Sequence, residues 1–133
     1  MSVATAALPS KTRLWSGRIL TGLVVLFLAF DGGAKIVEAG PVMKASEELG
    51  LPANTIVGIG CVLLVCTALY AIPRTAVLGA ILLTGHLGGA TAIHVRASSG
   101  TFPVVFAVGF GVLAWVALAL REPRVVEAIF RRP

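Results

Sequence analysis

Ile72-Pro-Arg-Thr-Ala-Val-Leu-Gly-Ala-Ile-Leu-Leu-Thr-Gly-His-Leu-Gly-Gly-Ala-Thr-Ala-Ile-His-Val-Arg96 decides the fold. From Thr75 to His94 it runs for 20 residues. As a helix that rises roughly 30 Å, the thickness of a bilayer's hydrocarbon core. Pro73 stops whatever helix precedes it, and Arg74 supplies an interfacial charge. Wound at about 100° per residue, Thr84, Gly85, Gly88, Gly89, Thr91 and Ala92 fall on one arc. A face that small lets neighbouring backbones approach, which is how helices associate in lipid, and its threonines can hydrogen-bond across the contact. The pattern predicts a central helix of a bundle.

His86 lies halfway along this helix, just beyond the arc. A polar ring turned to lipid without a partner costs on the order of a few kcal/mol, so His86 is expected to face protein. His94 is two turns on, about 12 Å further, near the interface with Arg96. A hydrogen bond to a neighbouring helix accounts for His86, and interfacial anchoring for His94. The sharper alternative is a ligand-holding or proton-handling pair, since histidine titrates near neutral pH. The two are not one turn apart, and the helix has no cysteine or carboxylate, which argues against a metal site.

The rest of the chain repeats the theme. Of 133 residues, 57% are hydrophobic and 13% charged, about half the charge of a soluble domain. The net charge of +5 comes from basic residues flanking apolar spans, which reads as membrane topology. Without basic–aromatic interleaving or a recognition motif, it does not read as nucleic-acid binding. Cys61 and Cys66 lie about 140° apart on one helix and cannot pair there, and the chain has no Cys-x-x-Cys. Both read as buried small hydrophobes.

Residues 1–10 read as a flexible N-terminus. Lys11, Arg13 and Arg18 lead into an apolar run, Leu14 through Phe30. Its end is a poor cleavage site and more spans follow, so it reads as a retained helix. Arg18, Gly22, Val25, Ala29 and Gly33 share one stripe of it. Arg18 reads as a headgroup anchor, with binding of an anionic group as the alternative. Asp31 and Lys35, four apart, pair if the helix continues, although Gly32-Gly33 loosens that end. Gly40-Pro41 reads as a break, followed by a short interfacial helix, Val42 to Leu49, in an acidic outer loop. A second span runs from Asn54, a candidate N-cap, to Ile72, with Gly58 and Gly60 favouring close packing. The Pro73-Arg74 link makes spans two and three antiparallel neighbours. A fourth span, Phe102 to Leu120, takes Pro103 in its first turn. A basic tail follows at 125–133.

Eight basic residues fall on the side of the termini and three on the other, Lys35, Lys44 and Arg96. The positive-inside rule then puts both termini in the cytoplasm, with the chain in the plasma membrane. The fold predicted is all-α, a four-transmembrane-helix antiparallel bundle with a short interfacial helix in the first outer loop, over residues 11–124.

With the spans placed, the chain resembles the DoxX-like family of small four-helix membrane proteins. The residues carrying this are Arg18-Ile-Leu-Thr-Gly-Leu with Lys35, Glu48-Leu-Gly-Leu-Pro52, Trp115 through Leu120-Arg-Glu-Pro123 and, most specific, the stretch Ile72 to Arg96. The resemblance covers Lys11 to Arg124. It implies a link to quinone-dependent oxidoreduction through the subunit that names the family, while the Cys-x-x-Cys of fold-related thiol oxidoreductases is missing here. Arg18, Lys35, His94 and Arg96 match family-patterned positions, and burial adds His86. These five are the candidate ligand-binding residues. Quinone is the candidate cofactor, and no residue is assigned to catalysis or to a metal.

Three functions compete. The chain carries no complete catalytic constellation, which argues against an enzyme and for a non-catalytic subunit or assembly partner of a membrane complex, or a homo-oligomer. A binder of quinone or another lipophile, with His86 donating to a carbonyl and Arg18 or Arg96 holding an anionic end, is the second. A small transporter or proton path through His86 and His94 is the third, disfavoured by how few interior charges four short helices offer.

Overall fold

The computed structural model describes residues 10–131. The expected flexible N-terminus falls outside the described residues except for Ser10, as does Arg132 of the basic tail. The chain is an all-α antiparallel bundle. The helices are α1 (Lys11–Ile36), α2 (Gly40–Glu48), α3 (Ile56–Ala71), α4 (Ala76–Arg96), α5 (Thr101–Arg121) and α6 (Pro123–Phe130). Four of them, α1, α4, α5 and α3 with the 3-10 turn before it, are long and apolar enough to cross a membrane. Their outward faces carry bare apolar side chains such as Leu26, Phe30, Val65, Ile81 and Val112, as lipid contact requires.

Each boundary has a local cause. The Ser10 hydroxyl accepts from the Arg13 amide at 3.2 Å and caps α1. Gly32-Gly33 does not loosen α1, which continues to Ile36 and closes the Lys35–Asp31 ion pair at 2.6 Å. Gly40-Pro41 is not a break. It forms the first turn of α2, where proline lacks only a donor that has no acceptor anyway. Gly50 then ends the segment at φ +76°, a conformation glycine adopts freely. Asn54 does not cap α3. It sits inside the 3-10 turn Ala53–Thr55, and α3 begins without a side-chain cap. Between α3 and α4 the Thr75 hydroxyl donates to the Leu69 carbonyl at 2.8 Å and fixes the tight turn.

The spanning helices form a four-membered ring. Helix α1 packs on α3 and α5, α4 packs on α3 and α5, and α1 and α4 lie across the diagonal. Helix α4 is therefore no more central than the others, contrary to the sequence expectation. Its small-residue arc is left open rather than packed: Thr84, Gly85, Gly88, Gly89 and Ala92 are exposed, Gly85 and Gly89 toward the cavity and Gly88 and Ala92 away from it. A Cβ on any of these three glycines would meet nothing within 4 Å. Thr91 bonds back to the Leu87 carbonyl, and only Thr84 reaches a neighbour, accepting from Trp115 Nε1 of α5 at 2.7 Å. The buried stripe of α1 is Gly17, Thr21, Val24, Leu28 and Gly32, one residue ahead of the stripe that holds Arg18 and Gly22. The physical reason is shared. In lipid both faces of a helix are apolar, so hydropathy does not say which one packs.

The half of the bundle nearest the termini is solid. Tyr70, Leu83, Leu118 and Val24 are fully buried there, among Ala76, Ala80, Ala114 and Ala117. Gly79 of α4 lies so close to the Tyr70 backbone that any side chain would collide with it. The Tyr70 hydroxyl donates to the Ala114 carbonyl at 2.7 Å. Helix α6 turns beneath this half and sends Val125 into the core. Cys66 is buried, whereas Cys61 is exposed on the outer face of α3 and is not the core residue the sequence suggested.

A candidate ligand cavity in the loop half

The other half, away from the termini, is hollow. Its cavity measures about 970 Å³, at the top of the range typical of small-molecule sites. All four spanning helices and α2 line it.

Helix α1 brings Asp31 and Lys35, and it can do so only by running past Gly32-Gly33. Gly60 of α3 seats this part of α1. A Cβ on Gly60 would meet the Gly32 carbonyl oxygen and the Lys35 Cβ, both at 2.8 Å. Gly58 belongs to the cavity wall rather than to a helix contact, since a Cβ there would meet nothing. The ion pair spans 2.6 Å, with the lysine side chain 17% exposed and the aspartate 37%. As an i,i+4 pair near the end of α1, it leaves the two charges cancelling each other at the cavity wall.

Helix α4 contributes His86 and His94, both half-buried, from the helix half that also carries Gly85 and Gly89. His94 Nδ1 is buried and has no hydrogen-bond partner. Helix α5 adds Phe102, Phe106 and Phe110, spaced by four on one face. Phe27 of α1 joins them, with ring centroids 5.3 Å from Phe106 and 4.5 Å from Phe110. The four rings wall one side of the cavity and prop α1 and α5. Helix α2 supplies Val42, Ala45 and Ser46.

The site thus has an apolar body, an aromatic wall and a few converging polar groups. Of the five residues nominated from sequence, Lys35, His86 and His94 line one cavity. Arg18 does not join them. It is exposed near the start of α1, its guanidinium 5.5 Å from the Trp15 ring. Arg96 also stays outside the lining and donates to the Leu49 carbonyl at 3.2 Å, tying the segment after α2 to the end of α4. Sequence reading took Asp31 for a structural partner only and passed over the phenylalanines. The spacing of Phe102, Phe106 and Phe110 was the available signal.

Among the described residues, no group of three or more His, Cys, Asp or Glu side chains could hold a metal ion. A model described as the DoxX-like family matches residues 19–117, an interval that contains every residue lining the cavity. No curated protein and no solved structure matches the chain.

Proposed function

We propose that this multi-pass membrane protein, which belongs to the DoxX-like family, binds a neutral lipophilic small molecule, a quinone being the candidate, in the cavity of its loop half. The observation that carries this reading is one space of about 970 Å³ with an aromatic wall, two histidines and an ion pair. Lys35 and Asp31 cancel each other's charge, so the cavity calls for no charged ligand. Its polar atoms suit a ring with carbonyl oxygens. His86 and His94 are the hydrogen-bonding groups for those oxygens, Lys35 is a third, and the phenyl rings pack against the ring face. A lipophile of this kind reaches the cavity from the bilayer.

A second reading keeps support from a separate observation. The exposed stripe of Thr84, Gly88 and Ala92, outside the cavity, is the kind of face on which membrane helices associate. It favours a role as partner subunit or homo-oligomer, which is compatible with ligand binding. The distribution of basic residues, eight on the side of the termini and three on the other, supports a plasma-membrane orientation with both termini cytoplasmic. On that orientation residues 11–124 are the membrane domain, 125–133 a basic cytoplasmic segment that packs back on it through Val125, and the cavity opens toward the outer leaflet.

The test is native mass spectrometry of the protein in lipid nanodiscs, with solvent extraction of what co-purifies and titration with a short-chain quinone. One quinone per chain, weakened about tenfold or more in His86→Leu, is the expected result. A wild-type protein that carries only bulk lipid and ignores the added quinone would leave the subunit reading standing alone.

A further inference from the structure

Helix α5 ends on Arg121, at the opposite end of the bundle from the cavity. Its guanidinium carbon stands 5.3 Å from the Tyr70 ring centroid. Its Nε and Nη2 atoms are buried and donate to no acceptor. Among the described residues the one ion pair is Lys35–Asp31, in the other half, so no carboxylate lies within 4 Å of this guanidinium. The Tyr70 hydroxyl donates to the Ala114 carbonyl, and its oxygen is an acceptor open to the remaining guanidinium nitrogen, which leaves Nε and Nη2 as the unpartnered donors.

The chain makes room for this arginine. A Cβ on Gly17 of α1 would meet Arg121 Cγ at 2.8 Å and its backbone nitrogen at 3.0 Å, so the stem of Arg121 runs along bare α1 backbone. One turn earlier Arg13 donates from Nη2 to the Ala119 carbonyl at 3.2 Å. Two guanidinium groups therefore flank the same seam between α1 and α5.

A guanidinium stays charged, and burying two of its donor nitrogens with neither a counter-charge nor acceptors of their own is costly. Its planar fork matches two oxygens of a phosphate, and phosphates are concentrated at the level of the membrane where the spanning helices end. We propose that Arg121, with Arg13 beside it, binds a phosphate group at the α1/α5 seam on the side of the termini. The group belongs either to a lipid headgroup lodged in the seam or to a free phosphate compound from the adjoining solution. This site is separate from the cavity and does not depend on what the cavity holds.

The test is native mass spectrometry of the detergent-purified full chain with phosphatidylglycerol, with diacylglycerol of the same acyl chains, and with inorganic phosphate. One retained adduct of phosphatidylglycerol or of inorganic phosphate, with none of diacylglycerol, is expected. Displacement of the lipid by millimolar inorganic phosphate assigns the site to free phosphate compounds, and its failure assigns it to a headgroup. Arg121→Gln should weaken the adduct about tenfold, while Arg124→Gln, the same charge change at an exposed position, should leave it. If Arg121→Gln does not fold, Arg121→Lys decides. It keeps the charge and loses the fork, and a several-fold loss is expected. Equal retention of phosphatidylglycerol and diacylglycerol without phosphate binding, or a folded Arg121 variant that binds like wild type, overturns the proposal.

Discussion

Near the termini, Gly79 of α4 presses on the backbone of Tyr70 in α3, and Ala76, Ala80, Ala114 and Ala117 fill the space between helices. Two turns further along α4, Gly85 and Gly89 have nothing within 4 Å, and four phenylalanines stand beside an open cavity. The same four helices make both halves, so backbone type and hydropathy do not set the difference. Side-chain size at the facing positions does. Lipid gives apolar helices no hydrophobic reason to associate, so they hold together where small residues let backbones approach. Where large rings stand between them, space remains. The half near the termini holds the bundle, and the loop half leaves a cavity.

The largest break in this comparison is expected from Gly79→Leu. The atoms it would strike are the Tyr70 backbone nitrogen and Cα, which cannot swing aside as a side chain can. The expected cost is about 3 kcal/mol or more, at the upper end for overpacking. Loss of the monodisperse peak in detergent gel filtration would show it. A well-folded Gly79→Leu protein would mean that this contact does not hold α3 to α4.

In the loop half the opposite outcome is expected from an enlargement of similar size. Ala90 lines the cavity, so Ala90→Phe has volume to enter. Stability should change by less than about 1 kcal/mol, while quinone binding falls at least tenfold. A thermal melt beside a binding titration separates the two effects. If Ala90→Phe destabilised the fold as Gly79→Leu does, the two halves would not differ in packing as described.

Tyr70→Phe is the smaller probe of the closed half. It removes the hydrogen bond to the Ala114 carbonyl and leaves the ring in place. About 1 kcal/mol should be lost, with binding in the cavity unchanged, as read by unfolding in mixed micelles and by the same titration.

Much of this architecture was legible in the sequence. The four spans and the interfacial helix are written in length, apolar runs and their breakers, and the Asp31–Lys35 pair follows from helical spacing once α1 is allowed to continue. Rotation about the helix axis was not legible. The stripe through Arg18 and Gly22 misses the packed stripe by one residue, about 100°, because lipid and protein both accept an apolar face. The cavity was not legible either. It is a property of where helices stand relative to one another, and only the phenylalanine spacing hinted at it. His86, His94 and Lys35 stand out individually in the sequence, but their meeting in one space does not.

The outward face of α4 carries the smallest expected effect and the sharpest distinction. Gly88 is exposed and a Cβ on it would touch nothing within this chain. Gly88→Ala should therefore leave the melting of a monomer unchanged or raise it slightly, since alanine is about 1 kcal/mol better than glycine inside a helix. If α4 of a second copy packs on this face, the same methyl group would hold the two backbones apart, and the oligomer would weaken while each bundle stayed intact. Crosslinking in membranes reads the first quantity and thermal melting the second. Small residues would then serve α4 twice, with Gly79 joining it to its own bundle and Gly88 joining it to another. Unchanged crosslinking would assign the outer face to lipid and leave the packing role of glycine in this helix to Gly79 alone.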